Sequence, residues 1–165
     1  MRPGLDALNR VLILSLGGAL GVNARYWLAL AIERRVGARF PWATLAINVS
    51  GAFALGVLAT LMARLAPSHP WRLLALVGFL GGYTTFSTFA LESHRLWGTG
   101  RLAASFAYMA GSAAAGFAAV ALGVGLGQMI AGPPPQRPAG AGAEAEAEAG
   151  TTASRAAGTA ESGAP

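Results

Sequence analysis

The 165-residue chain is 54% hydrophobic and only 12% charged, with a net charge of +5 and a mean hydropathy of +0.50. Charged residues stand at about half their usual share, too few to clothe a soluble domain, so lipid is the expected solvent. Cys and Lys are both absent, which excludes disulfides, thiolate metal sites, cysteine nucleophiles, a P-loop lysine and Schiff-base chemistry.

Four apolar runs follow one another: 11–32, 42–63, 73–91 and 102–130. Each approaches or exceeds the roughly 20 residues needed to cross the hydrocarbon core as a helix. The fourth is longer than needed and should tilt or project. The connectors are short, so consecutive spans should be antiparallel neighbours. A removable signal peptide is disfavoured for the first run, because apolar sequence continues past Arg25-Tyr26 and Asp6 spoils a basic start.

Within the first run, Arg25 is the one in-span charge. It either snorkels to the interface or sets a positive potential at a pore mouth. The second run carries Asn48, with Thr44 and Gly51 on the same helical face. An interhelical hydrogen bond and a pore role are both open to it.

The third run holds Gly81-Gly82-Tyr83-Thr84-Thr85-Phe86-Ser87-Thr88-Phe89. Paired Gly and paired Thr are poor helix formers at the depth where lipid demands a helix. The block predicts a broken helix, tolerated only in protein or beside a wet cavity. Such a break frees carbonyls for a hard cation and amides for an anion. Phe86 and Phe89 share a face, where they either pack or turn their electropositive ring edges to an anion. In the fourth run, Ser105, Tyr108 and Ser112 make a hydroxyl stripe.

No Asp or Glu falls within any run, and His69 and His94 fall in connectors. That argues against catalysis, against a metal site built on acids and against a proton-coupled exporter. Amide, hydroxyl, phenyl edge and one cation favour anion conduction. Residues 131–165, mostly Ala, Gly, Pro and Glu, read as a disordered tail beyond a channel domain at 1–130. Pairs of small residues four apart, such as Gly17 and Gly21 or Gly78 and Gly82, suit close helix packing.

Arginines are balanced across the expected membrane. Arg2, Arg10, Arg64, Arg72 and Arg137 fall on one side; Arg34, Arg35, Arg39, Arg95 and Arg101 fall on the other. The positive-inside rule therefore sets no orientation. Either counting in one sequence is noisy, or both orientations insert and an antiparallel homodimer forms.

Three blocks closely resemble the fluoride channels of the Fluc/CrcB family. They are Gly17-Gly18-Ala19-Leu20-Gly21 with Arg25-Tyr26, then Phe40-Pro41-Trp42 with Thr44-Leu45 and Asn48-Val49-Ser50-Gly51, and the segment 81–89. The resemblance covers about residues 10–130. It implies an all-α, four-span protein of the bacterial inner membrane, its third helix broken mid-membrane. It also implies a dual-topology antiparallel homodimer with two fluoride pores that export fluoride passively and limit its toxicity. By the resemblance, Asn48, Phe86, Ser87, Thr88, Phe89, Tyr108 and Ser112 line the pore, and Arg25 contributes vestibule electrostatics. Backbone carbonyls of Gly81 and Thr84 bind a structural sodium ion at the dimer interface. Hydrogen fluoride would enter neutral, dissociate and leave as the anion. Ala43 stands where the family pattern has Gly, and the tail has no counterpart. The competing readings are a dual-topology exporter of small molecules or cations, which would need an intramembrane Glu, and a non-conducting assembly subunit, which would not need the break.

Overall fold

Helices, not strands, carry every apolar run, because a helix satisfies its own backbone where water is absent. The computed structural model describes residues 3–65 and 70–132. Helix α1 spans Pro3–Val36 and α2 spans Trp42–Leu65. A π-helical segment, Leu73–Phe79, leads into the short α3, Leu80–Tyr83; α4 is Phe86–Gly98 and α5 is Leu102–Ala131. Four helical stretches are long and apolar enough to cross a membrane, the third running from Leu73 to Gly98. Arg2, His69, Arg137 and the tail from 133 onward lie outside the described residues.

The helices extend beyond the apolar runs. Helix α1 continues to Arg34 and Arg35 in its last turn, where basic side chains suit the helix dipole. Gly37, at φ 75°, ends it with a bond from its N–H to Glu33 O. The larger departure concerns 92–101, expected as a connector. Helix α4 runs through most of it, and only Thr99, Gly100 and Arg101 separate α4 from α5. Apolar composition stops at Leu91, but nothing there stops a helix; Gly100, at φ 77°, does. Glu92 and His94 therefore sit on a spanning helix, which corrects the expectation that no acid lies in a span and that His94 lies in a connector.

Packing is between backbones more than between large side chains. Helix α1 lies against the π-helical segment and α3, and α2 lies mainly against α5. A Cβ added at Gly17 would stand 2.5 Å from Leu74 O, and one at Gly82 2.8 Å from Gly18 O. On the second pair of helices, Gly56 faces Val120 O and Gly123 faces Phe53 O just as closely. Without a hydrophobic drive between helices in lipid, such close approach supplies the attraction.

The interior is correspondingly polar. Buried residues include Thr44, Thr85, Ser93 and Ser105 beside Ile47, Leu80 and Tyr108. The outer faces are apolar, with Leu12, Phe117, Leu122 and Met129 all largely exposed.

Gly21→Ala should lower stability by roughly 1–3 kcal/mol, since its new methyl would strike the Phe79 carbonyl. Gly116→Ala, where nothing lies within 4 Å of the added Cβ, should change it by less than about 0.5 kcal/mol. Unfolding midpoints in detergent would read both.

Candidate functional site

The site is built where the third helical stretch leaves helical geometry. Thr84 (φ −81°, ψ 157°) and Thr85 (φ −149°, ψ 114°) are extended between α3 and α4. Helix α3 ends with Thr84 N–H bonded to Leu80 O, and Thr84 Oγ1 donates to the same carbonyl. Helix α4 begins with Thr85 as its N-cap, the hydroxyl accepting from Thr88 N–H at 3.3 Å and donating to Thr88 Oγ1 at 2.9 Å.

Asn48 holds the extended residue from α2. Its Oδ1 accepts from Thr85 N–H at 2.8 Å, and its Nδ2 donates to Thr85 O at 3.0 Å. The side-chain amide thus acts as one rung of a β-ladder. The interhelical bond open to Asn48 in the sequence is therefore made, and one of its two amide hydrogens is left over. Gly51, one turn on, lets Thr84 and Tyr83 approach α2. Tyr83 OH is also 2.9 Å from Ser50 Oγ.

The exchange strips two carbonyls of helical partners. A continuous helix would bond Thr85 N–H to Gly81 O and Thr88 N–H to Thr84 O. Here Thr85 N–H goes to Asn48 and Thr88 N–H to a threonine hydroxyl. Among the described residues no other backbone N–H outside the helical ladders reaches either carbonyl. Gly81 and Thr84 both border a cavity of about 380 Å³ with Asn48 and Phe86, and a Cβ at Gly81 would meet nothing within 4 Å.

Beyond the break, Phe86 and Phe89 are packed at 5.7 Å between ring centroids. Phe89 in turn touches Tyr108 at 5.1 Å, and Tyr108 meets Phe40 edge-on at 5.5 Å. Phe86 is 79% exposed, so one ring of this chain remains open. Ser87 is exposed beside it and stands 3.5 Å from Thr85 Oγ1.

Glu92 is the residue that composition hid. Thr44 Oγ1 donates to its Oε1 at 2.9 Å, and Tyr108 OH donates to its Oε2 at 2.8 Å. One carboxyl group therefore links α2, α4 and α5. The signal available in the sequence was spacing: Glu92 falls two turns after Thr85, within reach of a helix that continues. Ser105 completes the tie by donating to Ser93 O at 2.8 Å. The hydroxyl stripe of α5 is thus divided. Ser105 and Tyr108 are committed to α4, whereas the buried Ser112 Oγ has no partner, an uncommon state that marks it for a ligand or water.

Arg25 is half-exposed on α1 and makes no hydrogen bond or ion pair among the described residues. Three other arginines, Arg39, Arg95 and Arg101, border a cavity of about 300 Å³ that has Glu92 and Glu33 in its walls. No cluster of His, Cys, Asp or Glu suited to a metal occurs among the described residues.

The chain matches the family model described as CrcB-like protein, Camphor Resistance (CrcB), over residues 12–124. It is 43% identical over 126 residues to a fluoride-specific ion channel of Chloroflexus aurantiacus, covering 76% of this chain and all of that one. A protein of the same name from Solibacter usitatus is 48% identical over 115 residues, covering 69% of this chain and 94% of the relative. One from Rhizobium etli is 42% identical over 120 residues, covering 72% and 96%.

Glu92→Gln should weaken the α2–α4–α5 tie, because the new amide nitrogen cannot accept a hydroxyl proton and leaves Thr44 or Tyr108 unpaired. The expected loss is about 1–3 kcal/mol. A matching loss in Thr44→Val, with less than additive loss in the double variant, would be read from unfolding midpoints.

Proposed function

The chain belongs to the CrcB-like family, and on that premise we propose that it is a fluoride-selective channel of the bacterial inner membrane that exports the anion passively. It spans the membrane several times and is not an enzyme. The observation that carries the reading is the Thr84–Thr85 break held by Asn48, with Phe86, Phe89 and Tyr108 leading away from it. Fluoride is small and strongly hydrated, so a pore must replace its water with close donors. The second amide hydrogen of Asn48, the hydroxyls of Ser87, Thr88 and Ser112, and the phenyl edges answer that need. Tyr108 spends its proton on Glu92 and contributes its ring. Arg25 and the arginine-bordered cavity raise the local concentration of anions.

The finer architecture is part of the same proposal. The break lies mid-membrane, and the functional unit is an antiparallel, dual-topology homodimer. Balanced arginines and the exposed ring of Phe86 support it. So does the donor set at Gly81 and Thr84: two neutral carbonyls without helical partners suit a hard monovalent cation, but are too few for a buried one. Two copies meeting at the break would offer four, holding a sodium ion on the dimer axis. When bound, that ion supplies positive charge that favours nearby anions. The reading of a small-molecule or cation exporter is not favoured, although the spanning Glu92 it would require is present. Both carboxyl oxygens of Glu92 are occupied by hydroxyl donors.

Liposomes loaded with fluoride should empty through the purified protein, whereas chloride-loaded liposomes should not. Phe86→Ile and Phe89→Ile should each slow efflux at least about tenfold, because an aliphatic side chain keeps bulk without an electropositive edge. Comparable chloride efflux would leave an anion channel without fluoride selectivity. Separately, replacing sodium with a much larger organic cation should lower the dimer fraction in sedimentation; an indifferent dimer would remove the axial ion.

A further inference from the structure

One cavity holds charges of both signs that leave one another unpaired. Arg39, Arg95, Arg101, Glu33 and Glu92 border this space of about 300 Å³, with the buried Ala43 and Leu96 in its wall. The carboxyl of Glu92 is taken by Thr44 and Tyr108. Arg101 donates to Arg39 O and so ties the α4–α5 turn to the α1–α2 connector. Glu33, Arg39 and Arg95 are exposed, and among the described residues the side chains of these three make no hydrogen bond and no ion pair. Arg95 is explained by the dipole of α4, whose last turn it occupies. Glu33 is not: it stands in the last turn of α1, where the dipole opposes an acid.

Tryptophans place this cavity at the membrane surface. Trp42 adjoins the lining residues Pro41 and Ala43, and Trp97 adjoins Leu96. Both indoles are about half exposed, and exposed tryptophan at the end of a spanning helix marks the headgroup level. The exposed Phe106 meets Trp97 edge-on at 5.4 Å and continues that surface along α5. The cavity is also clear of the break. Arg95 stands nine residues past Phe86, about 14 Å along α4, whereas the proposed dimer meets at the break itself.

We propose that this cavity seats the headgroup of a zwitterionic phospholipid carrying a primary ammonium, its phosphate on Arg39, Arg95 and Arg101 and its ammonium on Glu33. Guanidinium forks match phosphate oxygens. An unpaired carboxylate beside them repels an anionic headgroup and attracts the ammonium. A primary ammonium donates hydrogen bonds to that carboxylate, and a quaternary one has none to donate. Charge balance points the same way. Three arginines against two glutamates leave one positive charge, and a zwitterion adds none, so the excess that gathers anions is kept. The inference rests on the chain spanning a membrane and not on the fluoride reading.

Native mass spectrometry of the purified, delipidated full chain tests this. In mixed micelles with equal amounts of dioleoyl phosphatidylethanolamine, phosphatidylcholine and phosphatidylglycerol, the ethanolamine lipid should be retained about two- to fivefold over either competitor. Glu33→Gln should remove that preference while lipid stays bound. Arg39→Gln combined with Arg95→Gln should lower retention of all three lipids at least about fivefold. These variants change exposed side chains that have no partner among the described residues, so the fold is kept. Equal retention of the choline lipid, tighter retention of the glycerol lipid, or a preference that survives Glu33→Gln would overturn the headgroup seat. So would displacement of the lipid by excess inorganic phosphate or free phosphoethanolamine, which would make the ligand a solute rather than a lipid.

Discussion

Everything that gives this small bundle a site depends on one side-chain amide standing in for backbone. An interruption in a membrane helix costs several kcal/mol for each polar group left without a partner. At Thr85 that cost falls on one N–H and one C=O, and Asn48 satisfies both at 2.8 and 3.0 Å. A side-chain amide suits the task because it carries one donor and one acceptor side by side without a charge. The bond also decides what remains unpaired. By taking Thr85 N–H, Asn48 leaves Gly81 O without a helical donor, and the N-cap of Thr85 does the same to Thr84 O. A polar site on the outer edge of α3 is thus a consequence of how its inner edge is stabilised.

The supporting structure follows from the same shortage of water. Hydroxyls that would be solvated in a soluble protein must find carbonyls or carboxyls, and here they do so between helices. Thr44 and Tyr108 close on Glu92, and Ser105 closes on Ser93 O. The small residues work in parallel. Gly17 and Gly82 bring α1 against the third stretch, while Gly56 and Gly123 bring α2 against α5. Steric contact fixes the helices in two pairs, and the polar ties fix α4 against the second pair.

The parts legible in the sequence were those with local causes. Four apolar runs made four spanning helical stretches, because length and hydropathy are properties of each run alone. The weak helix formers at 81–89 marked where the backbone turns extended, at Thr84 and Thr85. Asn48 stood out because an amide in an apolar run needs a partner, although the sequence left open which one. Glu92 and His94 escaped because the limit of the span was drawn where apolar residues ended. A helix ends where its hydrogen bonds end, and the stop lies at Gly100. Glu92 also needed a tertiary cause: its acceptors are used by donors 48 and 16 residues away. No reading of one helix at a time could supply them.

Subtracting the committed hydrogen bonds changes which groups are free to meet an anion. Thr44, Tyr108 and Ser105 each offer a hydroxyl in the sequence, but each has spent its proton on the protein. Thr85 has spent both its N–H and its hydroxyl. What remains uncommitted is one hydrogen of Asn48, the hydroxyl proton of Thr88, the exposed hydroxyl of Ser87, the orphaned hydroxyl of Ser112 and the edges of Phe86 and Phe89. These donors are weak and sparse, and none is cationic. A strong fixed charge among them would bind a small anion too tightly to release it, since conduction requires sites that are easy to leave. The charged side chains stand apart from them, Arg39, Arg95 and Arg101 bordering one cavity with Glu33 and Glu92. On the proposed reading, that separation leaves neutral donors along the passage and fixed charge outside it, so that an anion is not held too tightly to leave.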